Sequence, residues 1–344
     1  MKRIQKQLKN KTLIISDPIS IQYFTGYKNE PQERLMALLI TETNHTLIIN
    51  EMFPKPTGIN YKTYQDSDNP VETLNKLIST ETILIDGHLP SRFLIPIISP
   101  NRIIKDGSSL INDIRNIKTP TEIEKMQIAS KHNDRIMQEV IESIHEGITE
   151  REITETIKQK QSTSPLSGIS FEPIAAFSEN IADPHANATD RSLKKGDVIL
   201  IDMGGIYQNY HSDMTRTFFY GEVETIEKLY NIVLKANKAA INAIKIGVPL
   251  SHVDKAAREV IEKAGYGRHF THRTGHGIGL ETHEPLDVSS SNETIIKPGM
   301  CFSIEPGIYI EGVGGVRIED LICVKDDGII ILNQFPKQKM NLIK

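Results

Sequence analysis

One stretch of the chain occurs twice, and this repeat constrains the fold more than any other feature. Lys194-Lys195-Gly196-Asp197-Val198-Ile199-Leu200-Ile201-Asp202-Met203-Gly204 aligns without a gap with Lys297-Pro298-Gly299-Met300-Cys301-Phe302-Ser303-Ile304-Glu305-Pro306-Gly307. Lysine, glycine, isoleucine, an acid and glycine recur at the single offset that carries 202 onto 305. Each copy is a largely apolar strand ending in a carboxylate, Asp202 or Glu305. Each is followed by a second strand carrying another acid, Asp213 or Glu319. Two helix-like stretches precede each copy: 120–146 and 150–161 before the first, about 225–246 and 251–264 before the second. A repeated helix-helix-hairpin predicts two halves facing one another across a pseudo-twofold axis, with four acids at the centre. One acid at a strand end reads as a turn residue, whereas four in related positions read as a site.

Local signals support these elements. Thr119-Pro120-Thr121-Glu122 places threonine at N-cap, proline at N1 and glutamate at N3, which is a capping box. Ile123, Met126, Ile136, Met137, Val140, Ile141 and Ile144 follow at helical spacing, with Gly147 as the stop. Thr149-Glu150-Arg151-Glu152 opens the next helix in the same way. Upstream, strand-like runs at Thr12–Ser16, Leu35–Ile40, His45–Asn50 and Ile83–Asp86 alternate with helical and loop stretches, as in an α/β domain. The pattern breaks at Asp106-Gly107-Ser108-Ser109. Residues 1–115 are therefore expected to form one domain and 116–344 a second, which suits a chain of 344 residues. The expected class is α+β.

Forty Lys+Arg against forty-four Asp+Glu leave a net charge of −4, so no global field attracts nucleic acid or anionic membrane. The basic start (Lys2, Arg3, Lys6, Lys9, Lys11) reads as a solvated first turn. MKRIQKQLKN lacks the apolar core of a secretory signal, and no apolar run approaches the roughly 18 residues of a transmembrane helix. A cytoplasmic protein without membrane partners is expected. Cys301 and Cys323 are too few for a disulfide framework and sit in apolar runs, so they read as small buried hydrophobes of a reducing compartment.

Seven of the eleven histidines lie between His185 and His283, four of them in His269-Phe270-Thr271-His272-Arg273-Thr274-Gly275-His276-Gly277-Ile278-Gly279-Leu280-Glu281-Thr282-His283. The glycines around His276 would let the backbone approach a ligand and free the imidazole to point at it. Four carboxylates and one imidazole make an oxygen-rich ligand set that suits Mn, Co, Zn or Fe. So many negative charges in one core need cations. Paired divalent ions, about 3.5–4 Å apart, make a water acidic and polarise a carbonyl, so hydrolysis at neutral pH follows.

Asp202-Met-Gly-Gly-Ile-Tyr-Gln-Asn-Tyr-His-Ser-Asp213, then Gly275-His276-Gly277-Ile278-Gly279, then Ile304-Glu305-Pro306-Gly307-Ile308-Tyr309, then Gly315-Val316-Arg317-Ile318-Glu319-Asp320 closely resemble the Xaa-Pro peptidases, the prolidases and aminopeptidases P. The resemblance spans nearly the whole chain and is strongest from about 120 to 325. It implies a small creatinase-like N-terminal α/β domain followed by a duplicated pita-bread catalytic domain like that of methionine aminopeptidase. It implies two divalent ions, manganese first, on Asp202, Asp213, His276, Glu305 and Glu319, with Asp213 and Glu319 bridging. Glu305 would also handle the proton of the attacking water. His272 and His283 would steady the scissile carbonyl or hold substrate, His185 would line the pocket, and Arg317 would stand beside the metals. His211, His252 and His269 are left without a catalytic role. Phe177 and Ile181 depart from the small residues usual before the pocket histidine, which bears on pocket shape.

The implied substrate is a small peptide with proline second. A bond to proline has no amide N–H and a fixed φ, so most peptidases cannot seat it, whereas a metal pair activates the carbonyl without that N–H. The short first domain resembles that of the compact dipeptidases more than that of aminopeptidase P. Creatinase and the non-enzymatic pita-bread binding proteins lose ligands that are all present here. Relatives are commonly dimers, so a homodimer is expected.

Overall fold

The computed structural model describes residues 1–343. Its contacts divide the chain into two compact units, Met1–Arg115 and the part from Asn116 onward.

The first unit carries helices α1 (Lys2–Gln5), α2 (Pro18–Thr25), α3 (Pro70–Asn75), α4 (Ser91–Leu94) and α5 (Ser108–Arg115). Its sheet comprises β1 (Lys11–Ile15), β2 (Ala37–Ile40), β3 (His45–Asn50), β4 (Tyr61–Tyr64), β5 (Thr82–Ile85) and β6 (Ile103–Asp106), in the order β4-β3-β2-β1-β5-β6. Alternate residues serve opposite faces, as the two-residue period of a strand requires. Leu13, Ile15, Leu38, Ile40, Leu47 and Ile49 pack in one cluster, and Ile14, Ala37, Leu39, Ile48, Ile83 and Ile85 pack in the other. Strands buried on both faces read as continuous apolar runs, which makes four of them visible in the sequence. Edge strands β4 and β6 are mostly exposed and lack that signal. β6 lies immediately before the break at Gly107.

The second unit begins with α6 (Pro120–Ser143) and α7 (Glu150–Ser162). The capping boxes at Thr119 and Thr149 both form, each threonine accepting from the N3 amide while the N3 glutamate accepts from the threonine amide. α6 stops at Ser143, before the expected Gly147, because Ile144 turns extended. Gly147, at φ 88°, then reverses the chain. Next come β7 (Gly168–Ile169), β8 (Ile174–Phe177), β9 (Asp197–Met203), β10 (Gly205–Tyr207), β11 (Tyr210–His211) and β12 (Met214–Tyr220). The second half repeats the helix pair as α8 (Glu224–Ala243) and α9 (Leu250–Lys263), with Gly247 at φ 89° in the turn. It continues with β13 (Gly275–Gly277), β14 (Glu284–Val288), β15 (Cys301–Ile304), β16 (Gly307–Ile310), β17 (Gly314–Arg317), β18 (Asp320–Lys325) and β19 (Gly328–Ile331).

The expected duplication is present in the hydrogen bonds. Gly147 N–H donates to Leu193 and Leu193 N–H to Ile148; Gly247 N–H donates to Ile296 and Ile296 N–H to Val248. Each long helix also sends a buried asparagine to the end of an acid-bearing strand. Asn133 donates to the Met203 carbonyl at 2.8 Å, and Asn237 to the Ile304 carbonyl at 3.1 Å. The sheets run β12-β9-β8 in the first half and β14-β13-β15-β18-β19 in the second.

Two expectations are corrected. Asp213 and Glu319 do not lie within the second strands; each stands one residue before its strand, where β12 and β18 begin. Cys301 and Cys323 are fully buried as expected, but they are joined by a disulfide. Antiparallel pairing of β15 with β18 sets them directly opposite, with Cα atoms 4.2 Å apart. Two cysteines cannot build a framework, yet they suffice for one cross-strand link, so their number does not argue for a reducing compartment. Among the described residues no helix is long and apolar enough to cross a membrane.

Candidate metal centre

The repeated strands bring their acids to the floor of a cavity of about 850 Å3. Asp202, on β9, comes within 2.7 Å of the Arg317 guanidinium, which donates to its Oδ2. Glu319 accepts from the Thr215 hydroxyl at 2.8 Å. His276, on β13, has Nε2 3.7 Å from Asp213 and 3.4 Å from Glu305. Its Nδ1 lies 3.0 Å from the Gly277 carbonyl. A carbonyl only accepts, so Nδ1 carries the proton and Nε2 presents its lone pair to the acids. Burial pushes the His276 pKa down to about 4, which keeps the imidazole neutral.

This donor set consists of acceptors alone. Asp202 Oδ1, Asp213 Oδ1 and Glu319 Oε1 are buried without any hydrogen-bond partner, each an omission that costs about 1–3 kcal/mol. Burial, followed by the charges of Glu319, Asp202 and Glu305, lifts the Asp213 pKa well above the carboxylate range. Burial, with Glu305 and Asp202, does the same for Glu319. Glu305 is raised too, chiefly by burial. Ligand atoms of Asp213, His276 and Glu319 lie within 4.8 Å of one another. Orphaned oxygens converging on an imidazole lone pair fit divalent cations and offer nothing to a group that needs a hydrogen-bond donor.

The family models match at both ends of the chain. Residues 124–326 match metallopeptidase family M24, and residues 1–117 match the Creatinase/Prolidase N-terminal domain. The chain belongs to the M24 metallopeptidases. An uncharacterised peptidase of Staphylococcus aureus is 39% identical over 337 residues, 94% of either chain. Among solved structures, a dipeptidase from Pyrococcus horikoshii superposes with a TM-score of 0.92 at 34% identity, covering 98% of this chain and 99% of its own. A prolidase from Thermococcus sibiricus gives 0.89 at 32%, covering 99% and 98%. An X-Pro aminopeptidase from Thermotoga maritima gives 0.85 at 30%, covering 98% and 99%.

In this M24 metallopeptidase the cavity is lined by every residue singled out from the sequence: Asp202, Asp213, His276, Glu305, Glu319, His185, His272, His283 and Arg317. His211, His252 and His269 stay outside the lining. The His283 ring stands 4.3 Å from that of His276, edge to face. Phe177 and Ile181 are not in the lining; both are turned into the core, at 0% and 1% exposure, so the expected effect on pocket shape does not arise. The glycines around His276 also have another reason than ligand approach. A Cβ on Gly275 would meet the Ser303 carbonyl at 1.9 Å, and one on Gly277 the Pro285 carbonyl at 2.3 Å, because neighbouring strands pack against β13 from both sides.

Tyr309 was missed as a functional residue. Its hydroxyl lies 3.0 Å from Arg317 Nη1 and 2.9 Å from His272 Nε2. His272 Nδ1, 2.7 Å from the Arg273 carbonyl, must carry the proton, so Nε2 accepts from the tyrosine. Burial pushes Tyr309 up to about 12, so the phenol stays protonated. Tyr309 stood in the motif after Glu305 but was given no role there. Buried Asp254 and half-buried Arg258 were missed as well. Asp254 accepts from Thr274, and Arg258 donates to the Phe270 and His272 carbonyls, fixing the loop that carries His272.

Proposed function

We propose that this M24 metallopeptidase is a dinuclear exopeptidase hydrolysing Xaa-Pro bonds, with the dipeptide as its preferred substrate. The observation that carries the reading is the acceptor-only floor of the cavity beneath His185, His272 and His283. Asp202, Asp213, His276, Glu305 and Glu319 would hold two divalent ions, manganese by preference. Bound there, the ions supply Lewis-acid polarisation of the scissile carbonyl and an acidified water.

The remaining chemistry belongs to the chain. Glu305 takes the water's proton and returns it to the departing proline nitrogen. His283, kept neutral by burial, steadies the carbonyl oxygen, while His272, both of whose ring nitrogens are engaged by the Arg273 carbonyl and the Tyr309 hydroxyl, lines the substrate side. Tyr309 and Arg317 hold His272 and Asp202 in place. No step uses an N–H on the substrate's scissile bond, which suits a bond to proline.

Cleavage of a longer peptide is the second reading. The Thermotoga X-Pro aminopeptidase matches over 99% of its own length, so a short first domain does not separate the two activities. The dipeptidase and prolidase neighbours favour the first. The unit from Asn116 onward would be catalytic. A homodimer rests on the family resemblance alone.

The deciding experiment measures amino-acid release by manganese-loaded enzyme from an Xaa-Pro dipeptide and an Xaa-Pro-Yaa tripeptide side by side. Faster release from the dipeptide is expected. Preference for the tripeptide would make the protein an aminopeptidase, and no release from either with metal bound would overturn the reading.

A further inference from the structure

We propose that His211 is a positioning residue for His283, setting the direction of that imidazole through Thr282. The proposal rests on the Xaa-Pro reading above and deepens it, since His283 is the group assigned there to the carbonyl oxygen.

The two histidines on the substrate side are held differently. Both ring nitrogens of His272 are engaged, by the Arg273 carbonyl and the Tyr309 hydroxyl. Among the described residues the His283 ring has no hydrogen-bond partner, and it meets the His276 ring at 4.3 Å. It stands in the irregular segment 278–283 between β13 and β14. A ring with so little of its own to hold it points where its backbone points it, so the anchors of that loop decide its direction.

Those anchors converge on His211. Its N–H donates to the Gly279 carbonyl at 2.8 Å, near the start of the loop. Its ring reaches Thr282, with Nδ1 2.9 Å from Oγ1. The Thr282 hydroxyl in turn donates to the Ser170 carbonyl at 2.9 Å. A hydroxyl has one hydrogen, so toward His211 the threonine oxygen accepts and Nδ1 carries the proton. His211 thus clamps the loop at two places, and the second is the residue before His283.

His211 is itself fixed. It pairs with Ile206 across the β10–β11 hairpin, whose turn residues Gln208 and Asn209 both have positive φ, 47° and 70°, as a tight two-residue turn requires. On the other side of β10, Gly205 pairs with Ile169, and the next residue, Ser170, donates its hydroxyl to the Ser212 carbonyl at 2.9 Å. Thr282 is therefore bound to residues on either side of β10. The far end of the loop is closed by Glu284, which accepts from the Leu280 N–H at 2.9 Å and from buried Lys118 at 2.8 Å. His211 does not line the cavity, so replacing it removes nothing that a substrate would touch.

The test uses manganese-loaded full-length enzyme with the better cleaved of Ala-Pro and Ala-Pro-Ala. His211→Ala should lower kcat about tenfold, since a misplacement of about 1 Å costs up to about a hundredfold, with KM and metal content unchanged. His211→Asn, whose amide N–H can stand in for Nδ1–H, should recover most of the loss. In a His283→Ala background, His211→Ala should cost less than about twofold more, because a residue that acts only through His283 has nothing left to position. Thr282→Val removes the acceptor and keeps His211; it should show the same loss and the same insensitivity, and it serves if His211→Ala does not fold. An unchanged kcat in His211→Ala, a loss that multiplies with that of His283→Ala, or a fall in bound manganese each overturns the proposal while the peptidase reading stands. No release from either peptide by the metallated wild type overturns that reading and the proposal with it.

Discussion

The two halves of the catalytic unit share a scaffold and divide the chemistry. α6 and α7 with β9 and β12 in the first half correspond to α8 and α9 with β15 and β18 in the second. Gly147 and Gly247 turn the chain alike, and Asn133 and Asn237 tie the long helix to its strand alike. The first half supplies Asp202 from β9, Asp213 from the residue before β12, and His185 from the loop before them. The second supplies two carboxylates, His272, His276, His283, Arg317 and Tyr309. Duplication thus explains why four acids meet, since equivalent strands across a pseudo-twofold axis end at one place. Apart from His185, the imidazoles come from the 269–284 loop region and β13, so the second half supplies most of them.

The comparison can be broken experimentally, and the largest effect concerns the shared part. Asp213→Ala in one half and Glu319→Ala in the other should each abolish hydrolysis, by more than about a thousandfold, with loss of bound metal and little change in the circular dichroism. An active, fully metallated Asp213→Ala protein would sink the assignment of the floor. The asymmetric part should respond differently. His283→Ala should lower kcat about a hundredfold, the scale for one lost oxyanion donor, while elemental analysis finds metal retained; a large metal loss would show His283 to be a ligand.

Metal binding should also depend on pH. Without metal, burial and repulsion hold the pKa values of Asp213 and Glu319 above the usual range, so the folded state binds more protons than the unfolded. That contribution is whole below the ordinary carboxylate pKa of about 4 and is lost as pH rises through the raised values. Manganese replaces those protons, so its stabilisation should grow as pH rises above the ordinary carboxylate range. It should approach about 2.7 kcal/mol at a hundredfold excess over Kd. Thermal unfolding with and without the ion measures this, and a trend falling with pH would refute it.

The asparagines sharpen the comparison further. Asn237 donates to Ile304 and Ile318 and accepts from Lys337, whereas the Asn133 side-chain oxygen has no partner. Asn237→Ala should therefore cost about 2 kcal/mol and Asn133→Ala about 1 kcal/mol in urea unfolding. Equal costs would mean that only the shared bond matters. The smallest effect concerns the helix starts. Thr149 caps α7, while Pro249 offers α9 no side-chain cap, so Thr149→Ala should cost about 1 kcal/mol with no counterpart in the second half.

Much of this was legible in the sequence because its signals are local. Capping boxes at Thr119 and Thr149, strands buried on both faces and a gapless repeat each depend on residues close together in the chain. Edge strands β4 and β6 were not legible, since exposed strands need no apolar pattern. Tyr309 and Arg258 escaped because their roles come from partners distant in sequence or from backbone carbonyls that no residue code reveals. The disulfide escaped for a related reason: strand register, not spacing, sets Cys301 against Cys323.

By itself the sequence determined the repeat, the helix boundaries to within a few residues, and which acids and histidines recur in a metal-binding pattern. Only the tertiary structure decided that their oxygens are orphaned, that Phe177 and Ile181 face the core, and that Cys301 stands opposite Cys323. The physical reason is that residue type and period fix what a segment prefers, whereas desolvation, register and the direction of a side chain exist only once distant segments pack.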